Sequence, residues 1–288
     1  MSGPAPDDAR TGPAGDLAPP PGAAVRAGHR FAPDRSGRVA AAACGDECVA
    51  EEVPIALVYD GHPFAVMMAS PVDLTDFALG FSLTEGVVAT PDEFVDAVAV
   101  EVERGIELRV RVAESRALAL RSRARALAGR TGCGLCGVDT IAEALRPVER
   151  PRADVAFSAD AIAAAVAALP GLQTLGRATG ATHAAAFADA DGRILAVRED
   201  VGRHNALDKL IGALLRTGVE PAGGFVVVSS RCSYEMVHKT AAAGVTAIVS
   251  ISAPTGLAVD LADRLGLGLA AFARDGRFTV YAGDRRIT

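Results

Sequence analysis

The stretch TGCGLCG, residues 131–137, sets Cys133 and Cys136 three positions apart in a frame of glycines. Four chemistries use such a pair. A structural zinc site needs four ligands, of which these would be two; Cys44 and Cys48, about 85 residues upstream, could complete it. A redox disulfide uses the same spacing at a helix N-terminus, and VDTIAEALRPVE, directly downstream, can form that helix. A turn whose thiols fill space is the plainest reading, since free cysteine behaves as a small apolar residue. Glycines at 132, 134 and 137 offer little to pack against, however. The fourth reading is a nucleophile that carries a group. Neighbouring cations favour the thiolate, and the preceding segment ESRALALRSRARALAGR supplies Arg116, Arg121, Arg123, Arg125 and Arg130 with no acid after Glu114. Those cations would also draw in an anionic substrate.

Other polar clusters fall where strands hand over to helices. REDVGRHNALDKL brings Asp200, Arg203, His204 and Asn205 together. They serve either as helix caps, with Asp200 paired to Arg203, or as the lining of a ligand pocket at strand ends. His183, beside an apolar strand, reads as a hydrogen-bonded core residue. SSRCSYE offers Ser229, Ser230, Arg231 and Cys232 at another strand end, where helix N–H groups can hold a phosphate, although the glycines of a P-loop are missing. FARDGR, residues 272–277, reads first as a hairpin turn; its Arg274 and Arg277 could also grip a pyrophosphate or a guanine edge.

Positioning these groups requires a sheet. VPIALVYDGHPFAVMMA carries two apolar runs about Asp60-Gly61, a hairpin signal. PVDLTDFALGFSLTEGV predicts a helix capped by Asp73 or Thr75. VAVEVERGIELRVRV alternates apolar and polar residues on both sides of Arg104-Gly105, a half-wet hairpin. From about residue 150 the pattern becomes a helix capped by Ser158, a hairpin about ADADG, and then alternating helices and strands. GFVVVSS and TAIVSIS are apolar throughout, as strands buried on both faces are. Residues 1–42, rich in Pro, Gly, Ala and Asp, lack periodicity and read as a disordered tail. Residues 43–150 form an N-terminal α+β subdomain with the basic helix and the Cys-x-x-Cys loop, and 151–288 an α/β domain.

The chain has 288 residues, half of them apolar, enough for a substantial core. Its net charge of −6 argues against a nucleic-acid partner. Five cysteines at uneven spacing make a poor disulfide framework. A bilayer span and a secretory signal are both lacking, so a cytoplasmic, thiol-reducing setting is expected.

Together the stretches EEVPIALVYDGHPFAVMMASPVDLTDFALGFSLTEGV, ARALAGRTGCGLCG, GATHAAAF, EDVGRHNALDKLIG, SSRCSYEMVHKTAAAGV and APTGLAVDLA resemble the formate dehydrogenase accessory sulfurtransferases, the FdhD/NarQ family, over most of residues 50–285. The resemblance implies a carrier that takes persulfide sulfur from a cysteine desulfurase and passes it to the molybdenum bis(molybdopterin guanine dinucleotide) cofactor of formate dehydrogenase. It implies Cys133 as the persulfide-bearing residue and Cys136 as its companion. It places cofactor binding on Phe272, Ala273, Arg274, Asp275, Gly276 and Arg277, with no resident metal. It further implies a homodimer and a cytidine deaminase-like three-layer mixed sheet, with a smaller N-terminal β-rich subdomain. Deaminase chemistry itself is not expected: the H-x-E and P-C-x-x-C zinc signature is missing from THA and from GCGLC. Cys44, Cys48 and Cys232 have no implied role. The alternative is a zinc- or nucleotide-binding regulatory module.

Overall fold

The computed structural model describes residues 18–33, 38–118, 120 and 145–288. Strand β1 (Ala23–Pro33) pairs antiparallel with β2 (Val39–Ala50) as a long two-stranded ribbon. Within the stretch read as a tail, Ala23–Pro33 and the start of β2 from Val39 are thus strand. Backbone hydrogen bonds order a ribbon without an apolar stripe, and its base is pinned where Glu51 N donates to Gly22 O at 2.7 Å.

A four-stranded sheet follows, in the order β4-β3-β6-β5. Strands β3 (Val53–Tyr59) and β4 (His62–Ala69) turn at Asp60-Gly61 with φ of 46° and 80°, the left-handed pair that a tight hairpin needs. Strands β5 (Phe94–Val102) and β6 (Gly105–Val112) form the second hairpin, and β6 lies parallel to β3. Alternation puts Ile55, Leu57, Tyr59, Leu108, Val110 and Val112 on one face, against Phe77 and Phe81 of helix α1 (Leu74–Thr84). Asp73 stands at the expected cap position of α1. Its side chain makes no cap bond; it faces Arg198 at 3.6 Å.

The second sheet has six strands in the order β12-β11-β10-β9-β7-β8. The hairpin β7 (His183–Asp189) and β8 (Ile194–Asp200) leads into three helix–strand units. These are α4 (Arg203–Thr217) with β9 (Gly224–Val228), α5 (Tyr234–Ala242) with β10 (Ala247–Ser250), and α6 (Gly256–Leu265) with β11 (Gly268–Arg274). Strand β12 (Arg277–Ala282) closes one side. Strands β9, β10 and β11 are parallel, while β7 runs against β9. Alternate strand residues face opposite ways. Phe187, Val226, Val228 and Ile248 meet α4, α5 and α6; Ala186, Phe225, Val227 and Val249 meet α2 (Ala159–Leu172) on the other face. The result is three layers, helices on both sides of a mixed sheet. Ser158 caps α2 as expected, accepting from Ala161 N at 3.2 Å. A short helix α3 (Thr174–Thr179) precedes β7.

Helix α1 joins the two sheets. Its outer face crosses α4 at Gly80 and Gly212, where a Cβ on either glycine would meet the other helix's backbone. Ion pairs surround this crossing. Asp76 takes Arg198 at 2.7 Å and Arg216 at 2.8 Å. Lys239 Nζ reaches Thr84 at 2.9 Å, Glu85 at 2.8 Å and Asp208 at 2.9 Å. Burial alone would push Lys239 down, but Asp208 and Glu85 outweigh it and hold the ammonium above its ordinary range. Burial would likewise raise Glu85, yet Lys239 and Arg146 bring its carboxyl down to about 2.

Candidate functional site

One edge of the six-stranded sheet gathers nearly every polar cluster seen in the sequence. The carboxyl ends of β8, β9, β10 and β11 lie there, and so does the start of β7, because β7 runs the opposite way. His183 is thus the register partner of Asp200, while Ser229–Cys232 and Ile251–Pro254 follow the ends of β9 and β10. Ligands of open α/β sheets settle outside such an edge.

Asp200 does not pair with Arg203. It is fully buried, holds Lys209 Nζ at 2.6 Å, and accepts from Ser70 N at 3.0 Å, Gly202 N at 2.7 Å and Asn205 Nδ2 at 3.0 Å. Lys209 also donates to Ser70 O at 2.9 Å. Asp200, Asn205 and Lys209 therefore form a closed, satisfied knot that fixes the turn into α4. Sequence reasoning missed Lys209 because its partner Ser70, just past the end of β4, lies 139 residues away.

Arg203 is left without an acid. Its Nε is buried with no hydrogen-bond partner, and neither its side chain nor that of Arg231 pairs with any described residue. His183, expected in a core hydrogen bond, has no side-chain partner among the described residues and is only half-buried. Burial lowers its basicity first, and the positive charge of Arg203, His204 and Arg231 lowers it further. His204 meets Glu235 at 2.8 Å and Ser233 Oγ at 3.4 Å, which draws the turns before α4 and α5 together. Neither α4 nor α5 has a side-chain cap bond at its start.

The serines on this edge serve the backbone. Ser229 Oγ accepts from Ala184 N at 2.8 Å, and Ser250 Oγ donates to Ser230 O at 2.7 Å. Cys232 is fully buried, and burial pushes its thiol up to about 12, which keeps it un-ionised at neutral pH. Cys48 is a free, partly exposed thiol on the ribbon.

Residues Phe272–Arg277 close the same edge at the β11–β12 turn. The pairing slips between Ala271 and Arg274, and Phe272 bulges into the left-handed region at φ 53° while its N–H donates to Ser252 O at 3.0 Å. Phe272 is 43% exposed, and its ring tilts toward Tyr281 at 6.4 Å between centroids. Ala273 is buried, Asp275 and Gly276 make the turn at φ 53° and 70°, and Arg274 and Arg277 stand opposite each other on the surface. Arg277 approaches Asp275 only at 3.9 Å, with both side chains solvated.

Cys133 and Cys136, with Arg121, Arg123, Arg125 and Arg130, lie outside the described residues. The anchors on either side are described. Arg116 pairs with Glu93 at 2.8 Å, and Ala117 packs into the four-stranded sheet's core. The chain re-enters with Arg146 on Glu85 at 2.6 Å, and the Arg146 carbonyl accepts from Tyr234 Oη at 3.4 Å. Tyr234 opens α5, so Arg146 lies beside the polar edge. Among the described residues no three of His, Cys, Asp and Glu converge as a metal site would require, and no helix is long and apolar enough to cross a membrane.

Residues 50–288 match the model of the FdhD/NarQ family. A protein of Bordetella petrii named sulfur carrier protein FdhD is 49% identical over 88% of this chain and 91% of its own length. One of the same name from Cupriavidus necator is 51% identical over 83% of each. A crystal structure from Desulfotalea psychrophila, provisionally assigned as a formate dehydrogenase accessory protein, superposes with a TM-score of 0.69 at 25% identity, covering 92% of this chain and 99% of that one.

Proposed function

Since the chain belongs to the FdhD/NarQ family, we propose that it is a sulfur carrier that serves formate dehydrogenase. Its donor is a cysteine desulfurase, and its acceptor the molybdenum bis(molybdopterin guanine dinucleotide) cofactor, held as cargo. The observation that carries the reading is a Cys-x-x-Cys pair in a chain that aligns with 91% of a relative named for sulfur carriage.

The chemistry asks little of the fold. The Cys133 thiolate attacks the outer sulfur of the donor's persulfide; that S–S bond breaks, a new one forms at Cys133, and the donor leaves as a thiolate. Cys136 stands three residues on as a second thiol. The arginines between 116 and 130 favour the ionised form. Phe272 to Arg277 hold the guanine-bearing end of the cargo, with an exposed ring for stacking and two guanidiniums for hydrogen bonds or phosphate. The carrier works in the cytoplasm as a homodimer, with residues 43–150 and 151–288 as its two units.

We read the six-stranded sheet as deaminase-like, supported by its order of a hairpin followed by three helix–strand units. Deaminase chemistry has no base here. Asn205 and Ala206 follow His204 where a helix-opening H-x-E would need glutamate.

The test is intact mass after incubation with a cysteine desulfurase and cysteine. The wild-type chain gains about 32 Da, removable by reductant. Cys133→Ala gains nothing while its circular dichroism is unchanged. An adduct that persists in Cys133→Ala sinks the assignment of that thiol; no adduct on the wild type sinks the carrier reading.

A further inference from the structure

We infer that His238 is an acid-sensitive latch between α5 and the segment that returns at Arg146. Neutral, the ring lets Arg146 close on Glu85 at the end of α1; protonated, it drives that segment off Glu85 into solvent.

The ring is walled in without a full set of partners. His238 is 8% exposed, and its Nε2 is buried with no hydrogen-bond partner among the described residues. One turn earlier on α5, the Tyr234 ring lies 6.0 Å away, tilted by 32°. A neutral imidazole tolerates this place, because a bare ring nitrogen costs far less than an unpaired charge. A proton changes that: both nitrogens become donors, and the Nε2 N–H has nowhere to donate.

The surrounding charges enlarge the cost. Arg146 and Lys239 oppose a positive ring, while Glu85 favours it. Glu85 is already shared: it takes Arg146 Nη2 at 2.6 Å and Lys239 Nζ at 2.8 Å, and its carbonyl accepts from Arg146 Nη1 at 2.5 Å. The Arg146 carbonyl also favours the charged ring, but less than those cations oppose it. Asp208, brought by α4, is held by Lys239 and Thr84. The charged residues of α6, Asp260, Asp263 and Arg264, are all exposed, and β10 carries none. Burial first, and then the two cations, hold the imidazole below its ordinary value and keep it neutral at pH 7. Of those cations, Arg146 is the one free to yield. Its side chain is 32% exposed against 7% for Lys239, and it lies outside any helix or strand. Its carbonyl takes Tyr234 Oη at a long 3.4 Å. As pH falls, the opened form takes up the proton first, near the ordinary 6.5, and the closed form only at lower pH. Closure is therefore complete above 6.5 and is lost as pH falls below it.

Two measurements on the full-length chain test the latch between about pH 7.5 and about pH 5, a range in which Glu85, at about 2, does not titrate. Proton NMR follows the five imidazoles, and the resonance missing from His238→Gln marks His238. It is expected to titrate below 6.5 in the wild type and to move up in Arg146→Gln, which removes the opposing charge. Amide exchange, corrected for the intrinsic effect of pH, is expected to show residues 145–148 losing about tenfold of their protection at the acid end. In His238→Gln and His238→Phe, which have no titrating ring, protection there stays within about twofold across the range. The two variants replace the ring by polarity and by shape in turn, and circular dichroism shows which are folded. Wild-type protection that holds at the acid end sinks the latch, as does an acid loss that survives in either folded variant. A His238 midpoint that Arg146→Gln leaves in place breaks the link between ring and segment. Folded variants that lose protection equally at both ends show a ring that only packs, which also overturns the switch.

Discussion

Phe272 holds a backbone angle that an aromatic side chain resists, and it does so on the surface, where the ring gains little from burial. Strain of this kind collects where a side chain must be presented. Phe272→Gly removes the steric cost, about 1 kcal/mol for a left-handed residue. The variant is expected to melt about 2–4 °C higher and to bind guanosine diphosphate several-fold more weakly, both read on the same sample. A lower melting temperature with unchanged affinity would show the ring to be packing rather than presentation. Nothing in FARDGR announces this conformation. The slip in pairing arises from the β11–β12 register, and phenylalanine, unlike glycine, asparagine or aspartate, does not advertise a positive φ. Asp200 teaches the complementary lesson. Its place at a strand end was legible, but its partners Ser70 and Lys209 were not, because one comes from 130 residues away. The reverse holds for Cys133 and Cys136, which only the sequence picks out.

Helix α1 carries two opposite demands on one cylinder: aromatic bulk toward the four-stranded sheet, and bare backbone toward α4. The sequence shows the bulk plainly in Phe77 and Phe81, while Gly80 reads as a mere weakness in a helix. In the structure it is the contact point, and Gly212 mirrors it. Gly80→Ala should raise helix propensity yet lower stability by about 1–3 kcal/mol, the usual cost of forcing atoms into a filled contact, as measured by urea unfolding. The end of the same helix sets an acid response. Glu85 titrates at about 2 when folded and near 4.3 when unfolded. Its stabilising contribution is therefore complete above the unfolded value and disappears as pH falls from about 4.3 toward 2. Glu85→Gln should unfold more easily at pH 7 and show a flatter dependence of the urea midpoint across that acid window. The strands were easier to foresee: GFVVVSS and TAIVSIS are buried on both faces because helices cover both, and their continuous apolar run states as much.

At the scale of the molecule, two sheets meet at a close helix crossing, where Leu83 packs against both cores and buried ion pairs surround the contact. Lys209 and Lys239 belong to one sheet's helices, and Ser70, Thr84 and Glu85 to the other's helix and its approach. The sequence grammar changes near residue 150. That change does not reveal that each side leaves buried polar groups for the other to satisfy, because such pairing spans more than a hundred residues and has no local signature. Cut the gene at that junction, and each product carries stranded charge, which costs several kcal/mol per ion. Neither fragment should accumulate in soluble form alone, whereas co-expression should restore a non-covalent pair that elutes together on gel filtration. For anyone redesigning the protein, the halves are then not interchangeable modules: a chimera that borrows one half from a distant relative inherits a lock without its key.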